Sequence, residues 1–386
     1  MTQPTPDLDL VVFGATSFVG QILTRYLSEY LPGSGETLRW AIAGRSAPKL
    51  RALRDSLGAA GQALPIVVAD AADEAQLRAL CAQTRVVVST VGPYALYGEP
   101  LVRTCAQTGT DYCDLTGETQ WIKRMIERYE PAARQSGVPA TQVTMRVRTL
   151  KGGASGGTVA SVINVVREAA ADPALRRELL DPYALCPKDH RFTVRQHAVR
   201  SAEFDRDGGT WIAPFVMAAI NERVVHRSNA LADDAYGSRF TYDEAVITGT
   251  GLKGRLAALT MVAGLGVFMA GVLIKPVRGL MERFLLPKPG KGPSVAAQQA
   301  GRYDLRFFGR ADDGRTLRVK VTGDRDPGYG STGKMLGQAA VGLALDWARD
   351  GEKTGRPGGF WTPATMFDAR FVERLVRHAG LRFELL

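Results

Sequence analysis

A short loop near the start of the chain contains residue types that bind phosphate groups. Directly after an apolar run at residues 8–13, it comprises Gly14, Ala15, Thr16, Ser17, Phe18, Val19 and Gly20. Apolar residues at helical spacing follow over 21–30, which predicts a strand, a turn and a helix in that order. Gly14 permits the tight turn, Gly20 lets the helix pack on the strand, and free N–H groups at the helix start face a pyrophosphate. Ser17 replaces the motif's middle glycine, and its hydroxyl either caps the helix or contacts phosphate. An ordinary strand–turn–helix unit is the alternative.

The next apolar run, at 38–43, ends in residues that indicate the cofactor. Arg45 and Ser46 follow it, at the strand end where an acid would accept hydrogen bonds from the adenosine ribose of NAD. A cation and a hydroxyl at this place instead suit a 2′-phosphate, and Lys49 lies one helical turn further. We therefore expect NADP rather than NAD, with a solvated first helical turn as the alternative.

Three further predicted strands end in loops that would face the same ligand. Residues 66–69 lead into Asp70, which we place near the adenine. Residues 86–90 open into a loop that we expect at the cofactor, namely Thr90, Val91, Gly92 and Pro93. Tyr94 follows and is the best candidate for a catalytic proton donor; a tyrosine packed in the core is the alternative. With a fifth strand at 112–115, these units predict a Rossmann-type, doubly wound parallel sheet with ligand at the carboxyl ends of its strands.

The rest of the chain predicts a second, α+β domain. Its expected elements are a helix and an antiparallel sheet, at 211–223 and at 143–150, 305–308 and 317–321. We divide the chain into an NADP-binding domain, a substrate domain and C-terminal helices packing back on the core, at 1–137, 138–330 and 331–386.

A second glycine-containing segment, 328–334, matches the first part of a P-loop. Met335 stands where a P-loop has the hydroxyl that binds magnesium, so we interpret the segment as a loop leading into a helix at 335–348.

Composition excludes several classes of protein. The 386 residues include 45% hydrophobic and 23% charged residues, as in ordinary globular proteins. The four cysteines have no close paired spacing, which argues against a zinc cluster and against a disulfide framework. Residues 1–10 contain acids and prolines rather than a basic and then apolar leader. We therefore expect no metal site and a reduced, cytoplasmic protein.

The net charge of +10 is concentrated around the most apolar stretch of the chain. Residues 256–274 carry no charge, and an amphipathic pattern continues over 277–285. Seven cations and one acid, Glu282, surround this stretch: Lys253, Arg255, Lys275, Arg278, Arg283, Lys288 and Lys291. This pattern favours an anionic membrane surface over nucleic acid as the partner. We expect a helical insertion at 254–287 that enters the inner face of the plasma membrane from one side or covers an apolar substrate, with a buried helix pair as the alternative.

Eight stretches of the chain together resemble the saccharopine dehydrogenase-like oxidoreductases. Within that group, they are most similar to the trans-acting enoyl reductases of actinobacterial lipid synthesis. The stretches span nearly the whole chain, at residues 14–20, 43–46, 90–94, 112–118, 151–158, 211–216, 328–332 and 358–364. The resemblance implies an NADP-dependent reductase of a lipid-like acyl or polyketide intermediate, presented by a polyketide synthase or a carrier protein. The sequence leaves open whether the protein forms a homodimer.

The chain departs from this family at one point. After the helix that follows the fifth strand, members usually have another strand and a loop of the Cys-Gly-Phe-Asp-Ser type beside the cofactor. Here Gly137 runs directly into Val138 and Pro139, through either a genuine deletion or an omission from the sequence. Loss of this wall predicts NADPH binding with slow turnover or none. The alternative function is a catalytically impaired, membrane-associated scaffold that retains a nucleotide-binding fold.

Overall fold

The structure, a computed structural model, describes most of the chain. The described residues are 6–129, 142–151, 163–274 except 166 and 170, then 276, 277 and 279, 292–347 except 312, and 359–386.

The N-terminal part forms an open sheet of five parallel strands, sheet A, in the order β3-β2-β1-β4-β5. Its strands are β1 (Leu8–Phe13), β2 (Trp40–Gly44), β3 (Ile66–Val68), β4 (Thr84–Ser89) and β5 (Asp111–Cys113). The central strands are nearly continuous apolar runs, as expected where helices cover both faces of a parallel sheet.

Alternate residues of β1 contact different layers of helices. Leu10 and Val12 pack against one layer, and Val11 and Phe13 pack against the other. The first layer contains α1 (Phe18–Ser34) and α2 (Ala47–Asp55), and the second contains α3 (Glu74–Cys81) and α5 (Glu99–Thr108). Two further helices of this part are α4 (Tyr94–Tyr97) and α6 (Thr119–Tyr129). The predicted Rossmann-type fold is confirmed.

The second half of the chain forms a seven-stranded sheet, sheet B, in the order β12-β11-β10-β6-β9-β8-β7. Its strands are β6 (Gln142–Lys151), β7 (Glu203–Asp205), β8 (Thr210–Pro214), β9 (Glu244–Gly249), β10 (Arg302–Arg310), β11 (Thr316–Gly323) and β12 (Leu381–Leu385). The predicted strand and hairpin are present and somewhat longer than expected. The sheet is mixed rather than antiparallel, because β6 and β9 pair in parallel. The long connection between these two strands, which includes β7 and β8, permits this arrangement.

The predicted helix at 211–223 is wrong in its first part. Residues 210–214 are strand β8, which follows a turn with Gly209 at a φ of 64° and pairs with both β7 and β9. Pro214 disfavours a helix interior, and the helix begins only at Ala218. Helices of this half that lie wholly within the described residues include α7 (Pro173–Glu178), α8 (Ala218–Leu231), α9 (Gly251–Leu273) and α10 (Val295–Gln299).

The C-terminal segment connects both sheets and is not helical throughout. It contains α11 (Gly330–Val341), a π-helical turn (Gly342–Trp347), α12 (Pro363–Met366), α13 (Ala369–His378) and strand β12. Two glycines of α11 allow close packing on α1, because a Cβ atom at Gly333 would lie 2.9 Å from Ile22 and one at Gly337 2.8 Å from Tyr26. Strand β12 extends sheet B beside β11. The proposed boundary after residue 137 lies outside the described residues.

Helix α9 contains the apolar stretch found in the sequence. It is long and apolar enough to cross a membrane, and only 17% of its most apolar window is buried within the chain. Within the described residues α9 is therefore mostly exposed, and most of the second helix of the alternative buried pair lies outside them. Apart from residues 276, 277 and 279, the amphipathic run behind it lies outside the described residues.

Candidate functional site

The chain topology places a crevice at the carboxyl ends of β1 and β4. The chain builds the sheet outward from β1 in one direction, through β2 and β3, and from β4 in the other, to β5. Doubly wound sheets bind nucleotides at the point where this direction reverses. The loops after these two strands touch: a Cβ atom at Gly14 would lie 2.6 Å from Cγ2 of Val91. Gly14 also has a φ of 80°, which strains any other residue. The sequence therefore correctly predicted the need for glycine at this position.

Two hydroxyl groups lock these loops together. Ser17 Oγ accepts a hydrogen bond from the Gly20 N–H at 2.9 Å and donates to Thr90 Oγ1 at 3.0 Å. Thr90 Oγ1 in turn lies 2.9 Å from the Gly14 carbonyl oxygen. Ser17 is thus the N-cap of α1, one of the two roles that the sequence left open. A Cβ atom at Gly20 would lie 2.2 Å from the Gly14 carbonyl oxygen, which explains the glycine there.

The start of α1 retains backbone groups that can bind an anion. The N–H groups of Phe18 and Val19 stand in its first turn, where no acceptor exists within the helix. Ala15 is buried and Thr16 is half-buried beside them. The Phe18 ring packs edge-on against Tyr329 at 5.2 Å, so the C-terminal segment fixes this turn. The 17-residue helix therefore presents its positive end at the crevice.

The end of β2 provides the cation and hydroxyl expected for a 2′-phosphate. Arg45 is exposed and makes no hydrogen bond or ion pair with the described part of the chain. Ser46 is the N-cap of α2, but its hydroxyl makes no capping bond. The phosphate loop is close, because a Cβ atom at Gly44 would lie 4.0 Å from Thr16 Oγ1. Both polar groups are thus available to a ligand at the edge of the crevice.

Asp70 lies two residues beyond the end of β3, the strand next to β2. Its carboxylate accepts the Ala72 N–H at 3.0 Å, and its own N–H donates to the Gln76 side chain. The structure therefore gives Asp70 a role in a turn. Contact with adenine stays a prediction.

Tyr94 follows the loop of Thr90, Val91, Gly92 and Pro93 but faces the interior. Its side chain is buried against Trp121, and its hydroxyl donates to the Ser89 carbonyl oxygen at 3.0 Å. Burial raises the pKa of Tyr94 well above its usual value. The carboxylate of Glu118 accepts the N–H groups of Tyr94 and Ala95 and so caps α4. The observed contacts are those of the packed tyrosine that was the alternative, and the proton-donor role stays a prediction.

The structure identifies a polar residue at this edge that sequence reasoning missed. Asp114 follows the last residue of β5 and is half-buried. Its carboxylate accepts the Tyr112 hydroxyl at 2.7 Å and the Thr116 N–H at 2.9 Å. Burial raises the pKa of Asp114 to about 6. The strand-end rule applied to Asp70 did not select Asp114, because the predicted strand at 112–115 included it, whereas β5 ends at Cys113.

Exposed apolar side chains border the same edge. Leu96 and Tyr97 of α4 are exposed on one side, and Val216 and Met217 are exposed in the loop before α8. The two pairs flank the loop that contains Gly117 and Glu118. Met217 Cε would lie 3.8 Å from a Cβ atom at Gly117, and Glu118 caps α4, the helix of the other pair. We call these four residues the apolar rim. It joins the edge of sheet A to the second half of the chain.

The segment that resembles a P-loop has a structural explanation. Asp326 accepts the N–H groups of Tyr329 and Gly330 and caps α11, which begins earlier than predicted. Gly333 allows contact with α1, and Lys334 pairs with Asp324 at 2.9 Å. These contacts support the interpretation as a loop and a helix start. The stretch at 151–158 that contributes to the family resemblance lies, from residue 152 onward, outside the described residues.

Comparisons with known proteins agree with this geometry. Residues 10–141 match the family model of the saccharopine dehydrogenase NADP-binding domain. The chain is 38% identical to a Mycobacterium tuberculosis protein named as a trans-acting enoyl reductase, and 33% identical to the trans-acting enoyl reductase of Mycobacterium bovis. Both alignments cover 97% of each chain. Among solved structures, saccharopine dehydrogenase from Saccharomyces cerevisiae is similar over 98% of this chain and 99% of its own, with a TM-score of 0.46 and 12% identity. The predicted family resemblance and the predicted cofactor, NADP, are confirmed.

Proposed function

Since this chain belongs to the family of trans-acting enoyl reductases, we propose that it uses NADPH to reduce the carbon–carbon double bond of an enoyl substrate. The observation that carries the proposal is the crevice between β1 and β4, where Gly14, the start of α1 and Arg45 meet. Bound NADPH supplies the hydride for the β-carbon of the substrate. The chain must hold the cofactor, orient the acyl group and provide a route for a proton.

The residues at the crevice fit a dinucleotide phosphate. The backbone around Gly14 leaves no room for a Cβ atom, which keeps the loop flat against the neighbouring strand end. The free N–H groups of Phe18 and Val19 suit the pyrophosphate, and Arg45 with Ser46 suits the 2′-phosphate. Ser17 and Thr90 hold this loop in place. Of the N–H groups in the first helical turn, they engage that of Gly20 and leave the others for a ligand.

Asp114 is the residue that we place on the proton route to the α-carbon. A carboxyl group with a pKa of about 6 exchanges protons readily near neutral pH, as a general acid must. Its bonds to the Tyr112 hydroxyl and the Thr116 N–H fix its orientation at the end of β5. The hydroxyl of Tyr94, in contrast, is already committed to the Ser89 carbonyl.

The apolar rim supports an acyl chain as the substrate. Leu96, Tyr97, Val216 and Met217 offer an apolar border that is open to solvent beside a polar crevice. An acyl chain delivered from outside gains from contact with such a border, since its own apolar surface leaves water. This arrangement supports an intermediate presented by a separate polyketide synthase or carrier protein, in agreement with the trans-acting activity that the relatives' names state.

The chain is shorter than its relatives in a way that bears on turnover. An alignment of 419 positions covers 97% of these 386 residues, about 374, so about 45 aligned positions have no residue here. The family resemblance described in the sequence analysis implies a gap after Gly137, in a region outside the described residues. We therefore propose intact NADPH binding with slow hydride transfer.

The test combines binding and turnover on the same preparation. NADPH is titrated into the purified full chain and followed by its fluorescence, and an enoyl thioester is then added. We expect saturable binding and slow, substrate-dependent oxidation of NADPH. Binding with no oxidation would favour the scaffold function, and absence of binding would overturn the proposed function.

A further inference from the structure

Helix α9 is a largely apolar helix that the described residues leave mostly exposed. Beyond Arg255, its exposed side chains are apolar apart from Thr260, and they include Leu256, Leu259, Met261, Val267 and Met269. A helix that is apolar all round is normally buried in a protein core or in lipid. Since the described part of the chain leaves α9 exposed, its apolar surface calls for another apolar phase.

Within the described residues, the base of α9 packs firmly on the body of the protein. Gly254 approaches so closely that a Cβ atom there would lie 2.4 Å from the Gly249 carbonyl. The Thr248 hydroxyl lies 2.9 Å from the Gly254 carbonyl oxygen, and the Arg255 guanidinium stacks over the Trp211 ring at 5.4 Å. Ala258 is fully buried, and beyond it most side chains are exposed. The base is thus rigidly docked on β8 and β9, and it aims the rest of the helix outward.

The length of the free part sets how deep it can reach. At 1.5 Å per residue, the 15 residues from Leu259 to Leu273 extend about 22 Å. The hydrocarbon core of a bilayer is about 30 Å thick, so this length covers one leaflet but not both.

The sheet topology also argues for entry and exit on one side. Strands β6 to β9 precede the helix, strands β10 to β12 follow it, and all belong to sheet B. A single span would separate β10 from β6, although these two strands pair along their full lengths. The chain therefore has to return to the face from which α9 leaves.

The charges decide between lipid and a second copy of the chain as the cover. Lys253 and Arg255 are both exposed at the base of the helix. Two copies packed through α9 would bring these cations together. An anionic lipid surface instead neutralises them, and each cation near such a surface strengthens binding by about fivefold.

We propose that α9 inserts into one leaflet of an anionic bilayer and holds the protein on the inner face of the plasma membrane. Apolar side chains beyond Ala258 enter the hydrocarbon, and the cations at the base contact the headgroups. The proposal does not depend on reductase activity, because it rests on a surface away from the NADP crevice.

The experiment is flotation of the full chain with vesicles of phosphatidylcholine alone or mixed with phosphatidylglycerol. We expect the protein to float with the mixed vesicles and to bind at least about fivefold less to the neutral ones. Val267→Glu places a charge on the inserted part and should reduce binding by at least about tenfold. Leu385→Glu is the matched control, since Leu385 is 76% exposed and Val267 is 75% exposed, and it should bind like the original chain.

The effect of charge is tested separately. Lys253→Glu should weaken binding to the mixed vesicles. The control is Lys188→Glu, because Lys188 is exposed on a loop distant from α9 in the sequence, and this variant should bind like the original chain. Both valine and lysine positions are exposed, so circular dichroism should show that the variants remain folded. Failure of the original chain to float, or equal flotation of Val267→Glu, would overturn the proposal. A stable dimer that ignores vesicles would do the same.

Protease treatment of sealed vesicles tests the one-sided geometry. Tags at both ends of the chain should be removed from outside. Protection of only one tag would show a true span and contradict the insertion into a single leaflet.

Discussion

The Ser17 hydroxyl donates a hydrogen bond to Thr90 Oγ1 across 3.0 Å, although the two residues are 73 positions apart in the sequence. This bond joins the phosphate loop after β1 to the loop after β4. Both sides of the crevice thereby depend on one pair of small hydroxyl side chains. No pattern within either segment of the sequence contains this relationship.

The first prediction concerns Thr90→Val. The substitution removes the acceptor for Ser17 and the donor to the Gly14 carbonyl, both at a buried position. We expect the free energy of unfolding to fall by about 1–3 kcal/mol and the Kd for NADPH to rise about tenfold. Urea unfolding and fluorescence titration measure the two effects. Thr108→Val, which alters local bonds at the end of α5, should leave the Kd unchanged; a similar rise there would remove the special role of Thr90.

The second prediction concerns the cofactor. Arg45→Ala should weaken the binding of NADPH by about 1.5–3 kcal/mol, which raises its Kd roughly tenfold to a hundredfold. The binding of NADH should be nearly unaffected. The reason is that only NADPH carries the 2′-phosphate that a free guanidinium would pair with. The control is Arg51→Ala, because Arg51 is also an exposed arginine but lies within α2. Equal loss for both cofactors would show that Arg45 does not read the phosphate.

The Rossmann part of the fold and most of its loop residues could be predicted from the sequence because their determinants are local. Gly14 and Gly20 are needed for backbone geometry within one turn, and apolar runs of β1 and β4 indicate buried strands. The role of Tyr94 could not be read in this way. Its hydroxyl partner and its packing against Trp121 arise only when two βα units come together.

The third prediction tests Asp114 as a proton carrier. Asp114→Asn should lower kcat by about a hundredfold or more and change the Kd for NADPH little, since the carboxyl group acts on the substrate rather than on the cofactor. The kcat of the original chain should fall as pH rises through about 6, where Asp114 loses its proton. Asp111→Asn is the control, because Asp111 lies at the opposite end of β5. An unchanged pH profile in Asp114→Asn would exclude the assignment.

The fourth prediction concerns stability and pH. Burial, and then the neighbouring charge of Glu244, raises the pKa of Glu222 to about 7, and burial raises that of Glu244 to about 7. Because these values exceed those of an unfolded chain, the folded state binds extra protons, and stability should fall as pH rises from about 4.5 through about 7. Glu222→Gln should reduce that loss by about 2 kcal/mol, measured by urea unfolding between about pH 5 and about pH 8. Glu29→Gln, exposed on α1, should not.

Errors in the sequence-based fold have identifiable physical causes. Residues 210–214 were predicted as part of a helix, yet partner strands on both sides and Pro214 make them strand β8. Strand β12 was missed because it gains its stability from pairing with β11, more than 50 positions earlier in the chain. Asp114 was missed because its raised pKa depends on burial that only the assembled site produces.

The proposed reaction of this chain is the transfer of a hydride from NADPH to an enoyl substrate. The most direct measurement uses NADPH carrying deuterium at the transferred position, incubated with the purified chain and an enoyl thioester. Mass spectrometry then locates the label in the product. We expect one deuterium at the β-carbon of the saturated thioester, formed slowly. A bound cofactor whose deuterium never appears in the acyl chain would contradict it.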